Sequence, residues 1–156
     1  KGMVSTHLII GIGETEEQMI KTIQKCIDMG VLPGLFAFTP IAGTVLAKRE
    51  PPDIQRYRRI QLARYLMLNE IARSDDMGFD DNGLTSYGVN EQTLDRIVGT
   101  GRPFLTSGCP DCNRPYYNER PGGTMYNYPR KLTKNEILHV QNELKINRKQ
   151  AKDGTN

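Results

Sequence analysis

SerThrHisLeuIleIleGlyIleGlyGluThrGluGluGln, residues 5–18, decides how the chain is read. Thr6 to Ile10 is a short apolar run, the pattern of a buried strand. Gly11 and Gly13 follow, and glycines there allow a sharp turn and close approach of backbone to a ligand. Thr15 is a good N-cap, and Gln18 stands three residues on, as in a capping box. Met19, Ile20, Ile23, Cys26 and Ile27 then recur at helical spacing. A strand hands over to a helix through a two-glycine turn, and α/β proteins bind ligands at that end of their strands. The dinucleotide fingerprint is not met, because GlyIleGlyGluThrGlu lacks the third glycine and its acidic end would repel a pyrophosphate.

Working outward, Gly30 ends the helix and Val31 to Phe38 predicts a second strand, with Pro33 and Gly34 near its start. ThrProIleAlaGlyThr (39–44) reads as a loop. Pro51 and Pro52 lead into a long helix capped by Asp53 and running to about Arg73, with Ile60, Ala63, Leu66, Met67 and Ile71 on one face. Residues 74–83 form an acidic linker whose spacing fails the calcium-binding EF-hand loop. Asn90 caps a short helix through Val98, closed by Gly99 and Gly101. Thr133 and Glu136 form a capping box for a last helix whose apolar side is Ile137, Leu138, Val140 and Leu144. The polar tail after about Ile146 is expected to fray.

The composition is that of an ordinary soluble protein: 156 residues, 25% charged and 37% hydrophobic, with room for one domain and an appendage. No apolar run is long enough for a membrane span, so neither a membrane nor a membrane partner is expected. The net charge of +3 is mild, and the basic clusters at Arg56–Arg59 and Lys145–Lys152 read as solvated helix faces rather than a nucleic-acid surface. A cytoplasmic location follows as an expectation.

A second stretch, ThrSerGlyCysProAspCysAsnArgProTyrTyrAsnGluArgProGlyGly (106–123), carries the remaining chemistry. Cys109 and Cys112 enclose two residues, one a proline, which suits a tight turn with both thiolates aimed at one metal. A zinc knuckle needs two further ligands, and no second such pair is present. A structural disulfide does not suit a cytosolic protein, and Pro115 argues against a redox pair opening a helix. Cys26 reads as a buried core cysteine, and His7 and His139 as non-ligands. Arg114 and Arg120 could hold an anion such as a carboxylate. Tyr116, Tyr117, Tyr126 and Tyr128 stack either on the loop itself or on a ligand.

These residues resemble radical S-adenosylmethionine (SAM) enzymes, in particular the biotin-synthase-like branch. That branch carries Gly-x-Ile-x-Gly-x-x-Glu on the fifth strand of a partial (β/α)6 barrel, and Ile9, Gly11 and Glu14 fit it, with His7 in place of the first glycine. Its sixth strand is followed by Pro-x-x-Gly-Thr, matched at Pro40 to Thr44. The SerGlyCysPro-x-CysAsnArgPro segment is similar to biotin-synthase-related proteins that include the two-protein lipoyl synthases. The resemblance implies an α/β fold: residues 1–73 as the C-terminal portion of the barrel (strands five and six), 74–130 as a linker and loop-rich metal-binding extension, and 131–156 as a C-terminal helix and tail. It implies SAM as cofactor, with Ile9 packed on adenine and Gly11, Gly13, Glu14, Phe38 and Pro40 around it. The [4Fe–4S] cluster loop, Cys-x-x-x-Cys-x-x-Cys, is not in this sequence and is expected upstream. Cys109 and Cys112 would help bind an auxiliary iron–sulfur cluster. The implied partners are a small-molecule or lipoyl-domain-type substrate, a partner radical SAM subunit, and an electron donor such as ferredoxin or flavodoxin. The implied reaction is sulfur insertion into an aliphatic chain. The other reading is a non-catalytic zinc-binding module that binds a partner subunit.

Overall fold

The computed structural model describes residues 4–106 and 123–152, with side chains up to Leu144. The fold is mixed α/β. Strand β1 (Val4–Ile10) pairs in parallel with β2 (Val31–Ala37), in a register from Val4 opposite Val31 to Ile10 opposite Ala37. Helix α1 (Glu16–Asp28) makes the crossover that a parallel pair requires. Its capping box is formed in both directions: Thr15 Oγ1 accepts from the Gln18 amide at 3.1 Å, and Gln18 Oε1 accepts from the Thr15 amide at 2.9 Å.

Pro33 fits inside β2 because of which way its missing N–H would point. The Phe38 amide donates to Ile10 O of β1, so alternate residues, Pro33 among them, face the opposite edge. Among the described residues no third strand joins the pair, and a proline on such an edge breaks no ladder bond. The Pro33 carbonyl accepts instead from Arg64 Nε. Burial pulls the Arg64 guanidinium down to about 10.

Helix α2 (Ile54–Leu68) starts at Asp53, whose side chain accepts from the Arg56 amide. It ends five residues before the expected Arg73. The Ile71 amide donates to Leu66 O and the Glu70 amide to Met67 O, the paired bonds of a Schellman ending. Glu70 holds the left-handed position at φ 57°, a place that glycine usually takes. Ile71 is consequently exposed rather than on the core face.

The stretch 74–83 is not simply a linker. A 3-10 turn (Ser74–Asp76) leads into a hairpin of β3 (Gly78–Asp80) and β4 (Gly83–Ser86). Asp81 and Asn82 form its two-residue turn, and Asp80 Oδ1 accepts from the Asn82 amide. Helix α3 (Glu91–Gly99) is capped by Asn90, and a 3-10 turn (Arg102–Phe104) follows Gly101 at φ 69°. Helix α4 (Lys134–Lys152) begins with the expected Thr133–Glu136 box. Its assigned extent runs through Lys152, past the point where fraying is expected. Val140 and Leu144 are buried, but Leu138 is 57% exposed, because two residues on is about 200° around a helix.

One hydrophobic core joins the elements: Ile10, Ile20, Ile23 and Leu35 meet Ile60, Leu62 and Leu66 of α2, then Ile97, Phe104 and Val140. Helix α2 is buried on nearly every side, so its polar residues need partners inside the fold. Among the described residues no helix is long and apolar enough to cross a membrane.

Candidate functional site

The glycine turn stands at the carboxyl ends of the parallel pair. Gly11 and Gly13 adopt φ of +105° and +133°, conformations that favour glycine. A Cβ at Gly11 would lie 2.9 Å from Pro52, so the turn also needs the missing side chain there. Glu14 folds back under the turn. Its Oε1 accepts from the Gly11 amide at 2.8 Å, and its Oε2 from the Ile12 and Gly13 amides at 3.0 and 3.1 Å. Arg56 completes the arrangement, with Nη2 2.8 Å from Glu14 Oε1 and bonded also to the Glu14 carbonyl. Glu14 thus shapes the turn, its carboxylate held by three amides and a guanidinium.

Side chains alternate across β1. Ile10 points into the core and Ile9 to the opposite face, where it is 46% exposed. The run read as a buried strand is therefore covered on one face only. Phe36, opposite Ile9 in the register, shares the open face, and the His7 ring meets its edge at 4.7 Å. Phe38 and Pro40 follow, both half-buried. Phe38 thus lies beside Ile9 and the turn of Gly11, Gly13 and Glu14 at the carboxyl end of β1, its amide bonded to Ile10 O, and Pro40 stands two residues further along the chain.

The basic cluster at Arg56–Arg59 is not a solvated face. Arg56 holds the turn. Arg59 forks onto Glu16, its Nε 2.9 Å from Oε2 and its Nη2 bonded to Oε1, and Glu16 also accepts from the Leu84 amide of the hairpin at 2.9 Å. Burial works to lower the Arg59 pKa, but the hydrogen bonds and charge of Glu16 raise it above its ordinary value. Sequence reasoning missed Glu16, Arg56, Arg58 and Arg59 as structural centres. Their one signal was a helix bearing polar residues on every face.

Cys109, Cys112, Arg114, Tyr116, Tyr117 and Arg120 lie outside the described residues. Among the described residues no group of three His, Cys, Asp or Glu is placed to hold a metal ion. Cys26 is buried as expected. Tyr126 meets Tyr57 edge-to-face at 4.9 Å, and Tyr128 is buried beside Arg58, so both belong to the packing of the fold. No protein-family model, curated protein or solved structure matches the chain.

Proposed function

We propose that this chain is the C-terminal part of a radical SAM enzyme of the biotin-synthase-like branch, its two parallel strands forming strands five and six of a partial barrel. The observation that carries this reading is the exposed Ile9 on the open sheet face, beside a pre-shaped glycine turn at the carboxyl end of a parallel pair. An apolar side chain on an open strand face suits the flat face of an adenine ring. Ile9 packs on the base, Gly11 and Gly13 shape the turn beside it, Glu14 holds that turn, and Phe38 and Pro40 border the site. When bound, the reduced cluster and SAM supply a carbon-centred radical that abstracts hydrogen from an unactivated carbon. Cys109 and Cys112 would help hold an auxiliary iron–sulfur cluster, whose sulfide would be the atom delivered in a sulfur insertion into an aliphatic chain.

Calorimetry with SAM on the full-length protein tests the first part. Ile9→Asp places a carboxylate against the ring, with a desolvation penalty of order 1–3 kcal/mol, so affinity falls about tenfold or more. Ile20→Val, on the core face of α1, leaves it unchanged. Equal SAM affinity for Ile9→Asp and wild type would refute the site. Anaerobic reconstitution tests the second part: replacing both Cys109 and Cys112 with alanine lowers the iron content. Zinc in place of iron and sulfide at this pair would favour the partner-binding module instead.

A further inference from the structure

Helix α2 carries four arginines, at positions 56, 58, 59 and 64. Three are answered by a carboxylate: Arg56 by Glu14, Arg58 by Glu143 and Arg59 by Glu16. Arg64 has no such partner among the described residues, although only 9% of its surface is exposed. Its Nε donates to the Pro33 carbonyl. The phenol of Tyr57, neutral at physiological pH, is the titratable group that acts on its charge. Burial brings the guanidinium no lower than about 10, so it stays protonated in neutral solution. A buried cation without a counter-charge lowers stability, and its presence needs another reason.

The bond to Pro33 leaves a definite shape. With Nε taken, the side-on fork of Nε and Nη2 is closed, and the end-on fork of Nη1 and Nη2 remains. Two parallel N–H groups of this kind match the two oxygens of a carboxylate. The fully enclosed arginine nitrogens without a partner are Arg56 Nε and Arg59 Nη1. The Arg64 fork is not among them, so it is deep-set yet reaches solvent.

The edge of β2 selects the kind of ligand. Pro33 lies on the outer edge, where among the described residues no third strand pairs. An added strand would find no N–H at Pro33 and a carbonyl already bonded to Arg64, so strand addition is blunted there. The Leu35 side chain, two residues on and on the same face, is 4% exposed, which keeps the surroundings apolar. A single cation in such surroundings balances one negative charge, not the roughly two of a phosphate.

We propose that Arg64 and the Pro33 edge of β2 form a binding site for a small carboxylate, held end-on by Nη1 and Nη2. Pro33 stands opposite Thr6, four residues before Ile10, so the site lies about 13 Å along the sheet from the glycine turn. It does not rest on the radical SAM reading. Nitrogen NMR of the full-length protein, titrated with butyrate at constant ionic strength, tests it on wild type. The Arg64 Nε–H signal should shift and saturate in the millimolar range, while that of Arg73, exposed and paired with Asp28, stays in place. Melting temperature gives a second readout. Butyrate at about ten times its dissociation constant raises it by about 3–5 °C over equal sodium chloride in wild type, and by nothing in Arg64→Met. Where Arg64→Met does not fold, the wild-type titration alone decides. An Arg64 signal that does not saturate overturns the proposal, and so does an equal shift with chloride, the mark of a general anion effect. Inorganic phosphate binding as tightly as butyrate overturns the choice of a carboxylate. A shift produced by an extended acidic peptide but not by butyrate overturns it as well, since the edge would then be taking a strand.

Discussion

Glu16→Ala should unfold this protein well before most surface changes would. The Glu16 side chain is 4% exposed and its partner Arg59 11%. Truncation removes every acceptor that Arg59 has on α1 and the acceptor of the Leu84 amide. Breaking one half of a buried ion pair typically loses about 3–5 kcal/mol, and an orphaned buried amide about 1–3 kcal/mol. Arg59 already has one buried nitrogen, Nη1, without a hydrogen-bond partner, and is left with Asp53 as the carboxylate to act on its charge. Its long side chain can still swing its head toward water, which lowers the loss to about 3 kcal/mol. Glu16→Gln keeps the shape and an acceptor for Leu84, and should lose about half as much. Equilibrium urea unfolding reads the effect: with a slope of about 1–3 kcal/mol per molar, the midpoint falls by about 1–3 M. The pair Glu16→Ala, Arg59→Met should be at least about 1 kcal/mol less damaged than the sum of the single changes. A midpoint within about 0.3 M of wild type, or strict additivity, would refute the claim that this pair holds α1, α2 and the hairpin together.

Two further outcomes follow from the turn and the last helix. Gly11→Ala meets both the +105° φ and the 2.9 Å approach to Pro52, whereas Gly30→Ala meets only its +76° φ with open space around it. Thermal melts should place the first about 2–3 kcal/mol below wild type and the second about 1 kcal/mol below, and equal losses would show that Pro52 does not constrain the turn. The Glu136 carboxyl is held down to about 2, first by its bonds to Arg130 and then by the Thr133 amide and hydroxyl, against the opposing effect of burial. Its folded value lies below its ordinary 4.5, so its stabilisation is present above that value and lost as pH falls toward 2. Melting temperatures at about pH 6 and pH 3 should drop less in Glu136→Gln than in wild type, and parallel losses would rule the linkage out.

Local chemistry was legible in the sequence wherever donor and acceptor stand three residues apart. Thr15 with Gln18, Asn90 with Thr93 and Thr133 with Glu136 all start helices where the pattern puts them. The end of α2 was not legible, since Glu70 fills a position that glycine usually announces. The hairpin was hidden because its strands are only three and four residues long, too short for an alternating pattern to show. The arginines were misread because their partners Glu14, Glu16 and Glu143 lie tens of residues away, beyond the reach of any periodicity. At the candidate site the glycine turn was legible in the sequence, but not the tie between Glu14 and Arg56, which depends on how α2 crosses the end of the sheet.

The Glu14 carboxylate gives the turn a tethered occupant. Amides lined up at the end of a strand ordinarily attract a phosphate or carboxylate from solution. Here that anion is attached by its own side chain, at an effective concentration far above that of a free metabolite. A dissolved anion would have to displace it and leave Arg56 without its counter-charge. The turn is therefore closed to anionic competitors, and its rigidity does not depend on what binds beside it. A neutral ring or a cationic group meets no such barrier, and finds backbone that loses little freedom on binding.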